Sequence, residues 1–152
     1  MHERITRAAG RFKDWALIAI VAGIAISCRG QTPEQKAFRR YEAMELGYRT
    51  NSADGAVRVL TDYLVTLAME ESNHIKGTDY EMARAEAHER LFLIYRKTGD
   101  TNKMEAEFRS SMEWLDRFKR THGITPTNFT YESLAAMLER SERGLDIGWK
   151  KE

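Results

Sequence analysis

Between residues 33 and 143 apolar side chains return every three or four positions, and each such stretch is bounded by residues that start or stop a helix. A chain punctuated in this way is constrained to a set of amphipathic helices joined by short turns. Thr32-Pro33-Glu34-Gln35 combines an N-cap, a proline at the first helical position and the glutamine of a capping box, so a first helix is expected over 33–49 on Ala37, Tyr41, Met44 and Tyr48. Asn51-Ser52 breaks it and caps a second helix, 53–74, whose stripe is Val57, Leu60, Leu64 and Leu67.

Gly77 ends that helix, and Thr78-Asp79-Tyr80-Glu81 offers a capping box for a third running to Thr98, with Ala83, Ala87, Leu91, Ile94 and Tyr95 on one side. Gly99-Asp100 makes a stop and a new cap. The fourth helix is expected over 101–122 on Met104, Phe108, Ser111, Met112 and Leu115, and Gly123 to Pro126 closes it. A fifth, 130–143, carries Leu134, Met137, Leu138 and Ser141, and could cap the open end of the stack before a polar tail over 147–152. No segment shows β alternation bounded by turn residues. The expected fold is all-α: antiparallel helical hairpins in an array or small bundle, forming one domain over 33–146.

The chain has 152 residues, 42% hydrophobic and 31% charged, which excludes a disordered or polytopic membrane protein and suits one buried core. Residues 1–14 hold Arg4, Arg7, Arg11 and Lys13, and the 13 residues from Trp15 to Ser27 carry no charge. This is the layout of a signal peptide over 1–27. As a helix the uncharged run would extend only about 20 Å, short of the roughly 30 Å hydrocarbon core, so it makes a poor permanent span. Removing the leader takes four basic and two acidic residues from the chain's 24 and 23, leaving 20 against 21. A net charge of −1 gives no electrostatic case for nucleic acid.

The run ends in Ala25-Ile26-Ser27-Cys28, and Cys28 is the only cysteine. These residues resemble the lipobox of bacterial lipoprotein precursors, with Ala25 standing where leucine is usual. The resemblance implies diacylglyceryl transfer to the Cys28 thiol, cleavage before it, and acylation, palmitate included, of the new amino terminus. A thiolate is a good nucleophile toward an activated lipid donor, and two or three acyl chains give stable anchoring where one is marginal. Residues 28–32 are then a lipidated cysteine and a short tether. Arg29 stands where the family's inner-membrane retention signal has aspartate, so in a host with two membranes the outer one, facing the periplasm, is favoured.

The stretch Leu91-Phe92 through Tyr95, Gly99-Asp100, Met104, Phe108 and Ser111 resembles a tetratricopeptide repeat in order and spacing. A shift of 48 residues lays Leu60, Leu64 and Leu67 over Phe108, Met112 and Leu115, as a degenerate copy would. Peptide-clamping members of that family grip a partner's carboxylate with basic and amide side chains on a repeat's first helix. The equivalent face here offers Glu86, Glu89, Leu93, Arg96 and Lys97, which does not make that clamp.

Chemistry is sparsely signalled. Glu70 and His74 are four apart, and Glu86 and His88 are close in sequence, which raises a metal site between the second and third helices. Glu86 and His88, however, point about 200° apart on a helix. His122 beside Gly123 has a structural role at a helix C-terminus. There is no Gly-rich phosphate loop, cysteine pair, Gly-x-Ser-x-Gly or HExxH. Trp114, Phe118 and Trp149 are the aromatic residues most suited to an exposed anchor, against the alternative that the first two pack under the last helix.

The expectation is a lipid-tethered protein of the bacterial cell envelope, not an enzyme, without cofactor or metal. It would bind another envelope protein through Glu86, Glu89, Arg96, Lys97 and Trp114. Two rivals stand beside it: a membrane-complex subunit retaining residues 15–28 as an uncleaved anchor, and a metal-dependent hydrolase built on Glu70 and His74.

Overall fold

The computed structural model of the chain describes residues 30–75, 79–125, 128–145 and 147–150. The leader and Cys28 lie outside the described residues. Five α-helices and one 3-10 turn make up the described part: α1 (Pro33–Thr50), α2 (Ala53–Ser72), α3 (Tyr80–Thr98), α4 (Thr101–Thr121), α5 (Tyr131–Ser141) and the turn Gly148–Lys150. The fold is all-α, as expected, and among the described residues no helix is long and apolar enough to cross a membrane.

The helices begin where side chains satisfy the backbone donors that a helix start leaves free. At α1 the Thr32 hydroxyl accepts from the Gln35 backbone N–H at 3.3 Å, and the Gln35 side chain accepts from the Thr32 N–H at 3.0 Å. Ser52, Asp100 and Thr130 cap α2, α4 and α5. At α3 the cap is Asp79, whose carboxylate accepts from the Met82 N–H at 3.1 Å; Thr78 lies outside the described residues. Gly99 takes φ +79° in the α3–α4 turn, a left-handed conformation that a β-carbon penalises.

The first four helices pair in order, the α3–α4 hairpin most closely, and α5 packs on α3. Helix α3 sits at the centre, packed by α2, α4 and α5. Four consecutive residues, Leu91 to Ile94, are therefore buried, where a surface helix would bury only one stripe. Of the expected core positions, Met44, Tyr48, Leu60, Leu67, Ala87, Leu91, Ile94, Ser111, Leu134 and Leu138 are buried. Val57, Leu64, Met104, Phe108 and Met112 pack against them half-buried, and Met137 is exposed. Tyr131 at the start of α5 lies 4.3 Å from Phe108 and 6.4 Å from Phe92, ring centre to ring centre, which fastens α5 over the α3–α4 hairpin.

The expected polar tail over 147–152 is corrected by the described residues 147–150. After α5 the chain turns back to the α1–α2 junction, where Ile147 and Trp149 are buried and Trp149 packs 6.0 Å from Tyr48. A β-carbon on Gly148 would lie 2.7 Å from the Asn51 carbonyl oxygen, so only glycine lets this strap seat against the turn. Burial of one aliphatic and one aromatic side chain, Ile147 and Trp149, outweighs the charge of the neighbouring lysines.

Candidate functional site

Alternate helices α1, α3 and α5 line a cleft of about 380 Å³. Its walls are Tyr41, Glu45, Tyr48 and Arg49 from α1, Glu86, Glu89 and Arg90 from α3, and Met137, Leu138 and Ser141 from α5, with Glu142 and Leu145 beyond. The tiling follows from helical periodicity: 41, 45, 48 and 49 share one side of α1, and 86, 89 and 90 share one side of α3.

Arg90 is the hub. Its guanidinium pairs with Glu45, lies 3.6 Å from Glu86, donates to the Tyr41 hydroxyl at 3.2 Å, and stands over the rings of Tyr41 and Tyr48 at 5.9 and 5.6 Å. Burial works to lower the Arg90 pKa, but Glu45, Tyr41 and Glu86 together carry it upward. The charge is fixed. Arg49 adds a second cation on Glu45 at 2.8 Å. At the floor the Tyr48 hydroxyl donates to Glu142 at 2.5 Å, and Lys150 of the strap reaches the same carboxylate at 3.3 Å. Burial, then the adjacent Glu142 charge, pushes the Tyr48 phenol far above its ordinary range. Tyr48 is a hydrogen-bond donor there and no base.

Glu89 differs from its neighbours. It has no hydrogen bond or ion pair among the described residues, and burial, with the Glu86 charge next, raises its pKa to about 7. Its nearest cation, Arg90, is already engaged with Glu45 and Glu86, so the Glu89 carboxyl faces the cleft without a counter-charge of its own.

Of the sequence-predicted residues, Glu86 and Glu89 meet in this cleft. Arg96 and Lys97 belong to the same helix but turn to Glu139 of α5, at 3.8 and 2.7 Å, and fix α5 on α3. Trp114 does not join them. It lies on α4, half-buried, with the guanidinium groups of Arg84 and Arg117 at 4.4 and 4.5 Å from its ring centre. Phe118 lies against the His122 ring, 4.3 Å between ring centres and tilted by 35°. Trp149 is 5% exposed and is no surface anchor.

The metal constellation comes apart. Glu70 pairs with Arg40 at 2.7 Å, and His74 sits past the end of α2 with φ +53°. Glu86 faces the cleft while His88, on the opposite side of α3, meets Glu107 of α4 at 2.5 Å. No three His, Cys, Asp or Glu side chains stand together as a metal site among the described residues. His122 Nδ1–H donates to the Phe118 carbonyl, 2.9 Å away, at the end of α4, the structural position expected of it.

Sequence reasoning missed Tyr48, Arg90, Glu45 and Glu142 as cleft residues. The Glu86/Arg90 and Glu45/Arg49 pairs are visible as four-residue spacings, whereas Tyr48 and Glu142 are 94 residues apart and carry no local signal. No protein-family model matches the chain, and neither a curated protein nor a solved structure matches it.

Proposed function

We propose that this chain is a lipid-anchored protein of the bacterial cell envelope whose helical domain docks a partner protein in the α1/α3/α5 cleft, without catalysis. The observation that carries the docking reading is the unpaired, half-buried Glu89 carboxyl in a cleft walled by Tyr41 and Met137. Four glutamates against Arg49 and Arg90 make the lining acidic, and the partner segment that complements it presents a cationic side chain to Glu89 and Glu86 and an apolar one to Met137 and Leu145. The anchor reading rests on the Ala25-Ile26-Ser27-Cys28 resemblance to a lipobox.

Two measurements test it. Labelled palmitate and intact mass on wild type and Cys28→Ala in a bacterial host should show label and loss of residues 1–27 in the first only. An intact amino terminus on wild type would favour the uncleaved single-pass reading instead. A photo-crosslinking residue at Met137 should capture a protein in cells and lose it when Glu89 is changed to lysine; the same probe at Arg58, exposed on α2, should capture nothing. Capture that ignores Glu89→Lys would remove the cleft from the account.

A further inference from the structure

We infer that one end of the helical array, the end from which the chain leads back to Cys28, rests on the lipid surface through Phe38, Ile75 and Ile124. The inference builds on the lipid-anchor reading and adds an orientation to it.

That end is assembled by side-chain ties between elements. Arg40 of α1 pairs with Glu70 of α2 at 2.7 Å, and Arg84 of α3 with Glu71 at 2.7 Å. The Tyr80 hydroxyl donates to the Ile75 carbonyl at 2.6 Å, and Asp79 lies 3.6 Å from His122. The first turns of α1 and α3 and the last turns of α2 and α4 therefore share one end of the molecule. Among the described residues, large exposed hydrophobics gather there: Phe38 is 61% exposed, Met69 61%, Ile75 41% and Ile124 47%. Leu46 and Leu145 stand toward the opposite end, and Val65 and Met137 along the sides. Ile75 and Ile124 each follow a left-handed residue at a helix C-terminus, where their N–H groups close the helix by donating to the Glu70 and Lys119 carbonyls at 3.0 and 2.8 Å, and both side chains stay exposed to solvent.

The chain outside the described residues says what covers this end. Pro33 lies five positions after Cys28, a reach of at most about 17 Å at roughly 3.4 Å per residue. The Thr32 capping box makes the helix rigid from its first turn, so the slack ends there. Helical side chains lean toward the N-terminus, which aims Phe38 back along α1 toward the tether. Exposed Lys36 and Arg39 flank it and can keep their charges at headgroup level while the ring enters the interface. Acyl chains at Cys28 hold this end and no other within reach of the bilayer.

The test uses the full chain, acylated in a bacterial host. An acylated Cys28 has no free thiol, so Phe38→Cys, Ile75→Cys and Ile124→Cys, with Arg58→Cys and Leu145→Cys as controls, each offer one site for a fluorescent label. The proteins are reconstituted into phosphatidylethanolamine and phosphatidylglycerol vesicles containing nitroxide-headgroup lipid. Labels at 38, 75 and 124 should be quenched roughly twofold or more beyond those at 58 and 145, as side chains within the headgroup layer would be. Acylated protein with equal quenching at all five positions overturns this orientation and leaves the anchor standing. Labels at 38, 75 and 124 shielded from both lipid and aqueous quenchers, with a dimeric mass, assign the end to a second copy and also overturn it. Protein without acyl mass on Cys28 removes the anchor reading, and the orientation falls with it.

Discussion

The α3–α4 hairpin and the strap that returns from α5 to α1 both bury aromatic side chains, but they hold them by different physics. In the hairpin, Phe92 meets Phe108 at 5.8 Å across a two-residue turn, and burial of apolar area supplies the stability. In the strap, Trp149 packs on Tyr48, whose hydroxyl is committed to the buried Glu142, and Lys150 closes on the same carboxylate. The first region tolerates no loss of volume. The second depends on polar partners that must all be present at once, because a buried carboxylate deprived of its donor costs more than the pair contributes.

The sharpest way to break the comparison is to empty the hairpin. Phe92→Ala should cost about 4 kcal/mol, read as a lower midpoint in urea, because it opens a void between α3, α4 and α5. Trp149→Ala should cost less, about 3 kcal/mol, since a 3-10 turn can undock and relax where a central helix cannot. Its amides at 148–150 should then exchange with solvent while those of Leu91 to Ile94 stay protected. Tyr48→Phe keeps the ring and removes only the donor to Glu142, for a loss of about 2 kcal/mol in the same melts.

Glu89→Gln sharpens the contrast from the cleft side. An ordinary glutamate here would ionise at 4.5, whereas Glu89 does so at about 7, so the folded chain holds this proton more tightly than the unfolded one. Its contribution to stability is therefore lost as pH rises from 4.5 through about 7, and the penalty is complete above that. Glu89→Gln should match wild type near pH 4.5 and exceed it by about 1 kcal/mol at pH 8, allowing for solvent screening of a half-buried group. Equal stability of the two proteins at pH 8 would show that Glu89 already has a partner.

The hairpin was largely legible in the sequence and the strap was not. Caps, glycine stops and three- and four-residue spacing place all five helices to within about two residues, because each of those signals acts over one or two turns. Gly99 and Asp100 fix the turn by local conformational preference alone. Burial of four successive residues in α3 is less visible, since it reflects three neighbours that no single stripe reveals. The cleft is half legible: Glu86 and Glu89 emerge from position on α3, while Arg96 and Lys97, only two turns on, are drawn aside by Glu139. Ile147 to Trp149 read as part of a polar ending because their neighbours, Tyr48 and Asn51, lie on the first hairpin.

The pairing of Tyr48 with Glu142 has a consequence in time. The α3–α4 turn closes two adjacent helices through Gly99 and Asp100, whereas the strap closes a loop of 94 residues, and the entropy of that closure is recovered only once the intervening helices are in place. The hairpins thus assemble early on local contacts, and the strap docks last against a surface already formed. What docks last is also released at the lowest cost, so the strap over Tyr48 and Glu142 is expected to open and reclose while the helices stay folded.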